Sequence, residues 1–182
     1  MIDDLELVRR WSAVGRVELV GAVAYDLVVS PDIDMEVFTD GTPRVRDGFR
    51  VLAELAEHPS VTRARFTNAL STADQGLYWQ LRCRDDEGEE WKVDIWTLDQ
   101  DHPGPLSTSL VAAMRSAVRT EERQRILALK EARADGTARG VASIDIYRAV
   151  LDGGVTTPDE LEAFLGPDYA PSLTPWLPAP RP

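Results

Sequence analysis

The sequence predicts an α/β (α+β) protein, with a mixed β-sheet domain over residues 1–103, a C-terminal helical bundle over 104–166 and a proline-rich tail over 167–182. Three observations predict it. Short runs rich in β-branched and aromatic residues recur through the first hundred positions, separated by helix-like segments. After Pro103-Gly104-Pro105 the chain turns rich in Ala, Leu, Arg and Glu with no proline as far as Asp135, a helical composition. Six prolines then fall between Pro167 and Pro182, which favours an extended segment.

The elements follow in order. Asp3 or Asp4 is a candidate cap for an amphipathic helix over about 2–14, with Leu5, Val8, Trp11 and Ser12 at helical spacing. Residues 17–20 read as a strand, and Gly21 permits a tight turn where a side chain would obstruct. Residues 23–29 read as a short helix that ends before Pro31. Thr42-Pro43 predicts a helix start with Thr at the cap and Pro at the first position, the helix running to about Glu57 with Val45, Phe49, Leu52 and Ala56 inward. Strands are expected over about 61–67, 77–84 and 90–98, the last two joined by the acidic hairpin tip 85–89. Downstream come one long helix or two with a break near Thr120, a helix over 141–151 closed by Gly153-Gly154, and a capping-box start at Thr157 for a helix to Leu165. Trp176 is the candidate anchor of the tail.

The chemistry-bearing stretch is 32–37, where Asp32, Asp34 and Glu36 alternate with Ile33, Met35 and Val37. On a strand this puts the acids on one face and the apolar residues on the other. Aligned carboxylates raise one another's pKa, a cost that a divalent cation would remove. A second costly acid, Asp94, sits between Val93 and Ile95 in another strand-like run. Together they form a candidate three-acid metal site. The alternative is an acidic solvated face, with Asp94 paired to an arginine. Asp94 can join the other two only if its strand pairs with theirs.

Gly21-Ala22, then Asp32-Ile33-Asp34, then Val93-Asp94-Ile95 resemble the nucleotidyltransferases of the DNA polymerase beta superfamily, of the minimal or antibiotic-type kind. In that family a Gly-Ser pair opens a short helix, an Asp-x-Asp follows on the next strand, and a third acid lies on a later strand. The resemblance covers about the first hundred residues. It implies that Asp32 and Asp34 hold two Mg²⁺ (or Mn²⁺) ions bridging a nucleoside triphosphate, ATP included, that Asp94 helps hold the metal activating the acceptor hydroxyl, and that Gly21 and Ala22 lie at that triphosphate. The Gly-Ser motif is degenerate, because Ala22 stands for the serine and Tyr25 and Asp26 follow where small or basic residues are frequent. A lost donor to a charged group costs about 1.5–3 kcal/mol. In related enzymes a basic helix reaches the triphosphate or acceptor; Arg115, Arg119 and Arg123 fall at a spacing that shares one helical face, with a solvated face paired to Glu121, Glu122 and Glu131 as the alternative.

Composition bounds the rest. Of 182 residues, 43% are hydrophobic and 28% charged, ordinary for a globular chain. The formal net charge of −11 argues against a general nucleic-acid binder, which needs a basic surface. The single Cys83 excludes an internal disulfide and falls in a strand-like run as a core residue. Neither His58 nor His102 has metal-ligand spacing. No targeting or membrane-spanning pattern appears, so a cytoplasmic protein is expected. The expected activity is metal-dependent transfer of a nucleoside monophosphate from a triphosphate to a hydroxyl of a small molecule or protein. Two alternatives stay open: a catalytically weakened relative that binds nucleotide, or a protein partner through its helical region, and a chain whose acids are structural.

Overall fold

The computed structural model describes residues 1–134, 136, 140–171 and 175–179. Their elements are α1 (Leu7–Trp11), β1 (Arg16–Val20), α2 (Gly21–Tyr25), β2 (Asp32–Thr39), α3 (Val45–Ala56), β3 (Val61–Ala69), β4 (Gly76–Arg84), β5 (Glu90–Asp99), α4 (Thr108–Ala117), α5 (Thr120–Ala134), α6 (Ser143–Gly153) and α7 (Pro158–Leu165). A mixed sheet followed by C-terminal helices is the predicted class. The chain divides into two compact units: residues 1–24 with 30–103, and residues 25–29 with 104–182. None of the helices among the described residues is long and apolar enough to cross a membrane.

In the first unit the five strands run in the order β1-β2-β5-β4-β3. Only β2 and β5 are parallel; every other neighbour is antiparallel. One face of the sheet carries the core. Ile33, Met35 and Val37 of β2, Val93 and Ile95 of β5, and Leu77, Trp79, Leu81 and Cys83 of β4 pack there with Leu5, Leu7 and Trp11 and with Val51, Leu52 and Leu55 of α3. The period-two pattern of β2 therefore does what its sequence implies: burying the odd positions turns Asp32 and Asp34 to the opposite face.

Three local readings are corrected. The N-terminal helix is shorter than expected, because residues 1–6 form turns and Glu6 adopts a left-handed φ of 49°. Of the expected stripe Leu5 and Trp11 are buried, but Val8 is 38% exposed and Leu7 is buried instead. The third helix begins at Val45 after an extended Arg44, not at Thr42-Pro43. Its inner face is Gly48, Val51, Leu52 and Leu55, while Phe49 is 44% exposed and packs on Phe66 with ring centroids 4.9 Å apart. Gly48 explains the rotation: a Cβ there would lie 2.2 Å from Cζ2 of the buried Trp79, so the glycine lets α3 approach the indole.

The second unit is helical. Val118 leaves the helical conformation with ψ 106°, which ends α4 and places the break just before Thr120. Arg115 therefore lies on α4, Arg119 in the break and Arg123 on α5, so the three share no single helix face. Arg123 instead donates to Asp26 Oδ2 at 3.0 Å, within the same unit. Helix α6 closes on Gly154 in the left-handed conformation. Helix α7 has the full capping box, with Glu160 N donating to Thr157 Oγ1. Tyr25 and Tyr147 meet edge to face at 5.9 Å. In the tail Trp176 Nε1 donates to Asp152 Oδ2 at 2.7 Å, as an anchor would; the rest of the tail expectation, over 172–174 and 180–182, and the predicted helix end at Asp135 lie outside the described residues.

Candidate metal centre

The register of β2 against β5 brings the acids together. Parallel pairing sets Asp34 opposite Asp94 and Asp32 opposite Lys92, and paired residues share a face. One carboxylate oxygen from each of Asp32, Asp34 and Asp94 lies within 4.8 Å of the others. The third acid of the alternation, Glu36, is buried farther along the strand and is not among these clustered ligands.

Each acid has distinct surroundings. Asp94 is more enclosed than Asp32, its side chain 17% exposed against 30%. Its Oδ1 accepts from the Tyr78 hydroxyl at 2.8 Å and from Gln80 Nε2 at 3.0 Å, and its Oδ2 pairs with Lys92 Nζ at 2.9 Å. Gln80 Nε2 also donates to the Tyr78 oxygen at 2.8 Å, closing a small network on β4. Lys92 Nζ reaches Asp32 Oδ2 at 2.9 Å as well, so one ammonium bridges the two acids. The remaining oxygen, Asp32 Oδ1, is buried and accepts no hydrogen bond. Asp34 lies against the turn at Gly21, where φ is +64° and a Cβ would stand 2.2 Å from Asp34 Oδ2. Ala22 follows on α2.

The neighbours titrate accordingly. Burial and the bond to Asp94 push the Tyr78 hydroxyl up to about 12, so it remains a donor at neutral pH. Burial alone would lower the Lys92 ammonium, but its bonds to Asp32 and Asp94 and their charges outweigh that and hold it above its ordinary value. Lys92 is charged at any physiological pH.

The donor set fits a hard divalent ion: three carboxylates on one sheet face, one of them with a buried, unpartnered oxygen. Lys92, Tyr78 and Gln80 were not anticipated. The signal for Lys92 is its place two residues before Asp94 on one strand, hence on the same face. Tyr78 and Gln80 become visible only with the β4–β5 register, which pairs Gln80 with Asp94 and Tyr78 with Trp96.

No family model matches the sequence, and no curated protein matches it. The fold, however, is similar to that of solved structures of the Cid1 poly(U) polymerase. One, bound to MgATP, aligns with a TM-score of 0.61 and 16% identity over 82% of this chain and 47% of that one. A second, described for its RNA terminal uridylyl transferase activity, gives 0.59 and 16% over 82% and 44%. A third, a cytoplasmic RNA terminal U-transferase, gives 0.59 and 16% over 82% and 45%. The chain thus has a nucleotidyltransferase-like fold, and it spans less than half the length of these chains.

Proposed function

We propose that the chain is a divalent-metal-dependent nucleotidyltransferase that moves a nucleoside monophosphate from a nucleoside triphosphate to a hydroxyl of a small molecule or protein. The observation that carries the reading is the convergence of Asp32, Asp34 and Asp94 on one sheet face beside the Gly21 turn. In the reaction the acceptor hydroxyl gives up its proton to solvent, its oxygen forms a bond to the α-phosphorus, the bond from that phosphorus to the bridging oxygen of the β-phosphate breaks, and pyrophosphate leaves. Mg²⁺ or Mn²⁺ bound there would neutralise triphosphate charge and lower the barrier to using a hydroxyl as nucleophile.

The chain's own residues do the positioning. Asp32 and Asp34, fixed on β2 by the buried side chains between and beside them, would hold the metal. Asp94 would complete the set, its orientation locked by Tyr78, Gln80 and Lys92. The bare Cα of Gly21 admits the Asp34 carboxylate at the turn where the triphosphate would pass, with Ala22 next to it. Ala22 offers no hydroxyl, so the triphosphate loses a contact worth about 1.5–3 kcal/mol for a charged acceptor group. That favours a second reading, a protein of the same fold that binds nucleotide with weak or no transfer.

Incubation with each α-labelled triphosphate, Mg²⁺ and a panel of hydroxyl acceptors tests the first reading. Labelled acceptor formed by the wild type and reduced at least about a hundred-fold in Asp32→Asn is the expected outcome, in line with metal-site charge stabilisation. Equal turnover in the variant would overturn it. Metal-dependent nucleotide binding without transfer to any acceptor would select the second reading.

A further inference from the structure

Lys92 is not explained by a site that holds two divalent ions. Three carboxylates carry three negative charges, and the one ammonium bridging Asp32 and Asp94 reduces the total to two. That residue matches a single divalent ion. The bonding leads to the same count. Both oxygens of Asp94 already have donors, two on Oδ1 and one on Oδ2. Asp32 Oδ2 is taken by the same ammonium, while Asp32 Oδ1 is buried and has no donor. The oxygens facing Asp94 are satisfied by Lys92; the open one belongs to the Asp-x-Asp side.

Lys92 is also held in place. It is directly paired with Asp32 across the parallel β2–β5 ladder and is only 27% exposed. A lysine that left for solvent would abandon two bonds of 2.9 Å and leave the two acids to repel each other. We infer that Lys92 is a resident cation on the Asp32–Asp94 side of the centre, so that the three carboxylates take one divalent ion, nearest Asp32 and Asp34, where two would otherwise bind. The inference rests on the metal-centre reading above but not on catalysis.

Titration with Mn²⁺, followed by calorimetry and by the loss of the free-ion magnetic resonance signal, tests it without any turnover. Wild type and Lys92→Arg are expected to bind one ion per chain. Lys92→Met is expected to bind two, with the first about ten-fold or more tighter, in the usual range of coupling between neighbouring sites. Asp32→Asn/Asp34→Asn is expected to bind none. Two ions in the wild type, or identical stoichiometry and affinity in wild type and Lys92→Met, would overturn the role of Lys92 and leave the carboxylate centre standing. No binding by either would overturn the centre itself. If Lys92→Met does not fold, the wild-type count still decides: one ion supports the inference, two reject it.

Discussion

At Gly21 only a hydrogen separates the turn from the Asp34 carboxylate. A methyl group there would sit 2.2 Å from Oδ2, and a φ of +64° is strained for any residue with a Cβ. Gly21→Ala should therefore lose about 1–3 kcal/mol of stability, the usual cost of a forced backbone conformation. It should also displace Asp34 and weaken Mn²⁺ binding, whereas Gly41→Ala, with open space around its Cβ position, should leave Mn²⁺ binding as it is. Thermal melts and Mn²⁺ titration of the two variants check this. A different residue-scale effect belongs to Cys83, fully buried in the core, whose thiol is pushed by burial from about 9 up to about 11. The folded value lies above the unfolded one, so its contribution to stability is complete below pH 9 and is lost as pH rises through 11. Denaturant unfolding between pH 8 and 11 should show a steeper loss for wild type than for Cys83→Ala, which starts less stable but has no thiol to ionise; parallel curves would refute the assignment. The carboxylates were legible in the sequence because alternation on a half-buried strand fixes the face of each side chain. Their partners were not, because Tyr78, Gln80 and Asp94 are neighbours only through a strand register that no single segment encodes.

At the scale of elements, packing overrode local signals. Thr42-Pro43 has the chemistry of a helix start, yet α3 begins at Val45, and its inner face is set by where Gly48 meets Trp79. Trp79 is a fixed obstacle. Its indole is buried, donates to Thr97 Oγ1 at 2.7 Å, and is flanked by Trp11, Phe49 and Phe66 with centroids 5.9, 5.2 and 4.5 Å away. Gly48→Ala is a sign test between two effects. Alanine gains roughly 0.5–1 kcal/mol in an unobstructed helix, while overpacking a closed core costs about 1–3 kcal/mol. With a gap of 2.2 Å to a ring that has nowhere to move, overpacking wins, and the variant should be net less stable by about 1–2 kcal/mol. Equilibrium denaturation measures it; a stabilised variant would show that α3 shifts freely over the sheet. The helix from Thr157, by contrast, was readable from four residues, since a capping box is satisfied by its own backbone and needs no distant partner.

Across the molecule, the one fact that converts separate motifs into a centre is the parallel pairing of β2 with β5. These strands are 50 residues apart in sequence, and β3 and β4 lie between them along the chain but to one side of them in the sheet. The sequence could state the condition, that Asp94 must lie beside the Asp-x-Asp, but the order of strands depends on which apolar faces can share one core. The same core has a consequence for stability. It fixes Asp32, Asp34 and Asp94 close together whether or not a cation is present, so in the metal-free protein their mutual repulsion opposes folding, relieved only in part by Lys92. Asp34→Asn keeps the size of the side chain and removes one charge without touching the Lys92 bridge between Asp32 and Asp94. In EDTA this variant should melt at or above the wild-type temperature. In Mn²⁺ the order should reverse, because an ion that binds only the folded chain adds about 2.7 kcal/mol at a hundred times its dissociation constant, and Asp34→Asn should gain little. If the variant is clearly less stable in EDTA and Mn²⁺ shifts neither protein, the acids are structural and the centre is not a metal site. A reversal of the two melting temperatures on adding the ion would instead mark these carboxylates as retained at a cost to the fold for the sake of what they bind.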